Sequence, residues 1–118
     1  MAIIIRTQNP HRLVDRIKQY IDNQIIRTWE YDSDGDFTAT RAQWKYKAWM
    51  RPVYPDDGSL VFGIISSKTF RMTKELYGVY HGRFVATLLS HFDTEMEDLV
   101  VTPMLDNRYD CVGQQYRV

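Results

Sequence analysis

Two stretches of helical periodicity, near 10–23 and 73–92, bracket a stretch, 25–66, whose apolar residues tend to recur at every second position. One backbone cannot satisfy a period of 3.6 and a period of 2 together. A chain that switches twice must group its strands between its helices. Grouped strands form an antiparallel sheet rather than a run of parallel crossovers. The expected fold is α+β in two layers: a mostly antiparallel sheet with two helices on one face, in the order β-α-β-β-β-β-α-β. The 118 residues fit a single domain, 1–118.

The first helix is the clearest element. Asn9 can cap it and Pro10 suits its first position. Leu13, Val14, Ile17, Tyr20 and Ile21 then recur on one side, and Arg12, Asp15, Arg16, Lys18, Gln19 and Asp22 fill the other. Ala2–Arg6, with its three isoleucines, reads as a strand before it. Thr73 is placed to cap the second helix, which runs to about Phe92. Leu76, Tyr77, Val79, Tyr80, Phe84, Val85, Leu88, Leu89 and Phe92 spread around it, the pattern of a helix buried deeply or between two layers. Leu99–Met104 reads as a further strand and Arg108–Val112 as a short one. The order resembles the ferredoxin-like one with an extra hairpin in its middle, a likeness of topology that carries no function.

In the central stretch Ile25–Tyr31 and Phe37–Thr40 read as strands around the turn 32–36. Gln43–Tyr54 alternates. Trp44, Tyr46, Ala48, Met50 and Tyr54 fall on one face, and Lys45, Lys47, Trp49 and Arg51 on the other. Pro52 lacks a donor and so belongs at an edge or a bulge. Leu60–Ser66 returns after Pro55-Asp56-Asp57-Gly58. A three-residue loop, Asp56-Asp57-Gly58, is expected, because it sets Leu60, Phe62 and Ile64 beside Met50 and places Gly58 where a left-handed backbone is needed.

Charge and cysteine content narrow the functions. Fifteen basic residues balance fifteen acidic ones, which argues against gripping nucleic acid through bulk positive charge. It also leaves little repulsion between copies. A single cysteine, Cys111, forbids an internal disulfide and a four-cysteine zinc site. The apolar run at the start is too short for a secretory signal, and no stretch approaches a membrane span. A cytoplasmic protein without cofactor or metal is expected.

The candidate sites each have a plainer reading. Asp32, Asp34 and Asp36 around Gly35 resemble the start of a calcium loop, but Phe37 and Gln43 stand where an EF-hand needs glycine and glutamate, so an acidic turn is expected. Lys45, Lys47, Trp49 and Arg51, with Arg41, form a basic strand that could hold single-stranded nucleic acid. Its plainer reading is a solvated face on which Trp49 packs against Ile65. Asp93, Glu95, Glu97 and Asp98 make an acidic counterpart at an end of the helix where the dipole disfavours acids. Gly78, Gly82 and Ala86 lie four apart, a smooth stripe for packing on the chain's own sheet or first helix, or on another subunit. His81 and Arg83 beside Tyr80 could serve acid–base chemistry, against the plainer reading of a surface histidine and arginine. Asp93 could orient His91, and Cys111 has no histidine near it in sequence. No GxSxG, GxGxxG, HExxH or phosphate loop occurs.

These readings favour a small non-enzymatic module that binds protein, itself included as a homodimer, and no membrane. Interfaces favour Tyr, Trp and Arg, and aromatic residues make up 14% of the chain. Nucleic-acid binding through 41–51 ranks second, and a small enzyme centred on His81 and Arg83 third.

Overall fold

The computed structural model describes residues 2–112. Its elements are β1 (Ile3–Arg6), α1 (Pro10–Asp22), β2 (Trp29–Tyr31), β3 (Phe37–Ala39), β4 (Ala48–Val53), β5 (Leu60–Ser66), α2 (Lys74–Phe92) and β6 (Asp98–Val101). The six strands form one antiparallel sheet in the order β2-β3-β4-β5-β1-β6. This is the α+β architecture and element order that the periodicity dictates. Setting aside the β2–β3 hairpin leaves β4-β5-β1-β6, in which each helix crosses over one intervening strand. That is the split β-α-β arrangement, with the extra hairpin added at a sheet edge.

One core joins the layers. Ile3, Ile5, Phe37, Met50, Leu60, Phe62 and Ile64 share the inner face and meet Leu13, Val14 and Ile17 of α1 and Leu76, Tyr80, Phe84 and Leu88 of α2. Tyr20 on α1 touches Phe92 on α2 at 4.8 Å between ring centres, so the helices lie side by side on that face. Asn9 accepts from the Arg12 N–H, and Thr73 from the Leu76 N–H, which satisfies one otherwise orphaned donor at each helix start.

The β4–β5 hairpin has the expected register. Met50 pairs with Ile64, and Pro52 with Phe62, so Met50 shares their face. Gly58 lies at φ +84° and closes the loop by donating to the Pro55 carbonyl. Pro52 extends beyond the start of β3 at Phe37, where no sheet partner on that side needs its missing N–H.

Four expectations are corrected. The strand drawn over Gln43–Tyr54 begins only at Ala48; residues 41–47 are a compact turn, with Tyr46 at φ +61°. The strand drawn from Ile25 begins at Trp29, because the N–H groups of Ile25 and Ile26 both bond the Tyr20 carbonyl and close α1. The strand drawn over Arg108–Val112 reduces to one parallel bridge between Cys111 and Ile65, filling the edge of β5 that the shorter β1 leaves open. Finally, α2 packs on one layer only: Leu89 is 51% exposed, and Gly78, Gly82 and Ala86 face solvent. A Cβ added at Gly78 or Gly82 would meet nothing within 4 Å, so the stripe does not pack on the chain's own sheet or first helix. No helix among the described residues is long and apolar enough to cross a membrane.

Candidate functional site

The turn 41–47 decides where the site lies. β3 and β4 pair at Phe37–Met50 and then part. The gap is bridged by hydroxyls. Tyr80 Oη, on α2, donates to the Trp44 carbonyl at 2.5 Å and accepts from the Ala39 N–H at 3.4 Å. Thr38 Oγ1 donates to the Ala48 carbonyl and accepts from the Tyr46 N–H. Burial pushes the Tyr80 phenol above its ordinary value, so it stays a neutral donor. These bonds hold the turn over the middle of α2 and bury Trp44.

A pocket of about 170 Å³ opens there, lined by Thr28, Trp29, Ala39, Arg41, Trp44, Arg83, Ala86 and Thr87. Trp29 and Trp44 are 2% and 9% exposed. The Trp29 indole donates to Thr87 Oγ1 at 3.1 Å, and Thr87 donates in turn to the Arg83 carbonyl. The Trp44 indole N–H is buried and has no hydrogen-bond partner among the described residues. Arg41 and Arg83 are exposed, and neither guanidinium is paired with a carboxylate among the described residues. Sequence reasoning missed this site because it drew 43–47 as a strand. One signal was present: a tight two-residue turn at Arg41-Ala42 needs positive φ at the first residue or at both, which neither favours, so a longer loop was required.

The basic strand is not assembled as expected. Trp49 and Arg51 do lie on the outer face, and Trp49 pairs with Ile65 across the hairpin. Lys45 and Lys47 belong to the turn. Lys45 pairs with Glu30 at 3.2 Å, and Lys47 sits 4.3 Å over the Phe70 ring. Arg51 makes two hydrogen bonds to the buried Asp36 carboxylate, and these raise the arginine's pKa. Three of the four expected cations, Lys45, Lys47 and Arg51, are therefore engaged within the chain.

His81 is not a surface histidine. It is 1% exposed, its Nδ1 lies 2.7 Å from the Tyr77 carbonyl, and its ring packs on Tyr77. Arg83 is exposed and lines the pocket, whose lining does not include His81, so the two do not share a site. His91 packs edge-on against Tyr20. The acids divide as well: Glu95 binds Arg16, Asp98 binds Arg6, and Asp93 stays exposed at the end of α2.

Asp32, Asp34 and Asp36 could offer oxygens to a metal, since their nearest carboxylate atoms lie within 4.8 Å of one another. The geometry is also that of a turn: Asp32 Oδ1 accepts from the N–H groups of Asp34 and Asp36. A larger cleft of about 560 Å³, between the start of α1 and residues 94–97, contains Arg12 and Arg16, but Glu95 holds Arg16 and Glu97 shares the wall. The Cys111 thiol is exposed and free. Comparison with protein-family models, with known proteins and with solved structures finds no match to this chain.

Proposed function

We propose that the chain is a non-enzymatic cytoplasmic interaction module that associates with a second copy of itself through the solvent face of α2. The observation that carries this reading is the exposed stripe of Glu75, Gly78, Gly82, Ala86 and Leu89. At ~100° per residue these positions fall within about 40° of one line along the helix. Only Glu75 among them is charged, and glycines in a helix cost ~1 kcal/mol each unless packing uses them. With Gly78 and Gly82 open to solvent, the chain itself makes no such use of them.

The charges at the helix ends select a second copy as the occupant. Arg71 and Lys74 stand at the N-terminal end and Asp93 at the C-terminal end, each where the helix dipole disfavours it, although Glu75 in the first turn and His91 in the last are placed as it favours. An antiparallel copy on a two-fold axis at Gly82 would set each basic end beside the acidic end of its partner. Gly78 would then face Ala86. Closed two-fold dimers are the commonest oligomers and use one self-complementary patch. The nucleic-acid reading has less support, because Lys45 and Arg51 are already paired with carboxylates.

Sedimentation over a range of protein concentrations tests the proposal. The wild-type chain should form a dimer. Gly82→Leu should dissociate it by keeping the backbones apart, and Gly82→Glu by setting two carboxylates against each other. Neither should lower the melting temperature of the monomer, since an added Cβ at Gly82 has open space and glycine is the poorer helix former. A wild-type chain that sediments as a monomer at high concentration would refute it.

A further inference from the structure

We infer that the pocket between the 41–47 turn and α2 binds a small aromatic carboxylate, with Arg41 and Arg83 holding its charge and the Trp29 and Trp44 rings walling its body. The chemistry of the lining selects the ligand. Its charged groups, Arg41 and Arg83, are both cations without a carboxylate partner, and no acidic side chain lines the pocket. Guanidinium groups are planar forks that match a carboxylate, and two of them favour an anion over any neutral or cationic ligand. They come from separate elements, one from the turn and one from α2, so the site exists only in the folded chain.

The second observation is the pair of indoles. Trp29 is held by its bond to Thr87, and Trp44 is nine-tenths buried, so both rings are fixed walls of the pocket. With Trp29 and Trp44, Ala39 and Ala86 give the pocket apolar walls suited to a flat body. At about 170 Å³ it lies below the ~300–1,000 Å³ of pockets for drug-sized molecules, which limits the ligand to one ring with its acid group.

The indole cross-peaks of the ¹⁵N-labelled chain test this directly, with benzoate as the probe. The three tryptophans supply site and control together, because Trp49 lies on the opposite face of the sheet, away from the pocket. Titration with benzoate should move the Trp44 cross-peak saturably and leave that of Trp49 in place. Benzamide, of the same shape without the charge, should bind at least tenfold more weakly. Arg41→Gln and Arg83→Gln should each weaken benzoate at least tenfold while keeping the wild-type spectrum elsewhere, since both side chains are exposed. The inference is overturned if millimolar benzoate leaves the Trp44 cross-peak unmoved, if benzamide binds as well as benzoate, or if both arginine variants bind like the wild type. Equal binding of cyclohexanecarboxylate would overturn the aromatic part of the assignment.

Discussion

Gly63 sits on β5 where the backbone of Tyr109 crosses the sheet. A Cβ placed on it would lie 1.9 Å from the Tyr109 carbonyl oxygen and 2.4 Å from the carbonyl carbon, a backbone obstruction that no rotamer change relieves. The close approach matters because the next residue, Asp110, works at that edge. Its carboxylate accepts from the Ile64 N–H at 2.9 Å, the Asp106 N–H at 2.9 Å and the Tyr77 hydroxyl at 3.2 Å. It thereby ties β5, α2 and the 106–112 segment together. Gly63→Ala should push that segment off the sheet and strip these bonds. Overpacking alone typically costs ~1–3 kcal/mol, and the orphaned Ile64 donor adds to it. Denaturant unfolding should show the loss; an unchanged midpoint would mean that the segment does not rest on Gly63. Nothing in the sequence around Gly63 announces this role, because the obstruction comes from a residue far along the chain. His81 was misread for a related reason: helical spacing fixes its angle on α2 but not what covers that angle.

At the scale of elements, legibility followed the strength of local signals. The two caps, the ends of α2 and the span of β5 were all readable, because Asn9-Pro10, Thr73 and a continuous apolar run each act locally. The hairpin register was readable because a one-residue slip would have turned Met50 away from Phe62. Gly58 is the local cause of that register. It stands at φ +84° with nothing within 4 Å of an added Cβ, so any cost of replacing it is a backbone cost. Gly58→Val should destabilise by about 1–3 kcal/mol, because a β-branched residue resists the left-handed region. Gly58→Asn should restore most of the loss, which thermal melting of the pair would show; equal melting of Gly58→Val and wild type would remove the argument. The turn 41–47 was not readable, because Trp44, Tyr46, Ala48 and Met50 mimic strand alternation. Backbone turn bonds to the Arg41 and Trp44 carbonyls, together with the bonds of Tyr80 and Thr38, pull the first two out of the strand. That single misreading hid the pocket and created the apparent basic strand.

For the whole molecule, α2 has three surfaces. Its inner face builds the core, its outer stripe is the face proposed to take a second copy, and Arg83, Ala86 and Thr87 wall the pocket. Ala86 belongs to both outer features. A copy seated antiparallel on the stripe brings its Gly78 against Ala86 and so narrows the pocket mouth. Benzoate and the second copy should therefore oppose each other. Linkage makes the effect reciprocal: whatever factor benzoate adds to the dimer dissociation constant, dimerisation must add to that of benzoate, with couplings of this kind typically ~1–3 kcal/mol or ~5–150-fold. Two measurements follow from the one equilibrium. Sedimentation should show the dimer dissociating as benzoate rises, and the apparent affinity for benzoate should fall as protein concentration rises. In Gly82→Glu, held monomeric, benzoate affinity should be independent of protein concentration. In Arg83→Gln, which keeps the stripe but loosens the anion, the dimer should be less sensitive to benzoate. If the wild-type chain dimerises and binds benzoate with an affinity that concentration does not alter, the pocket stays open in the dimer, and the two-fold axis does not pass near Gly82.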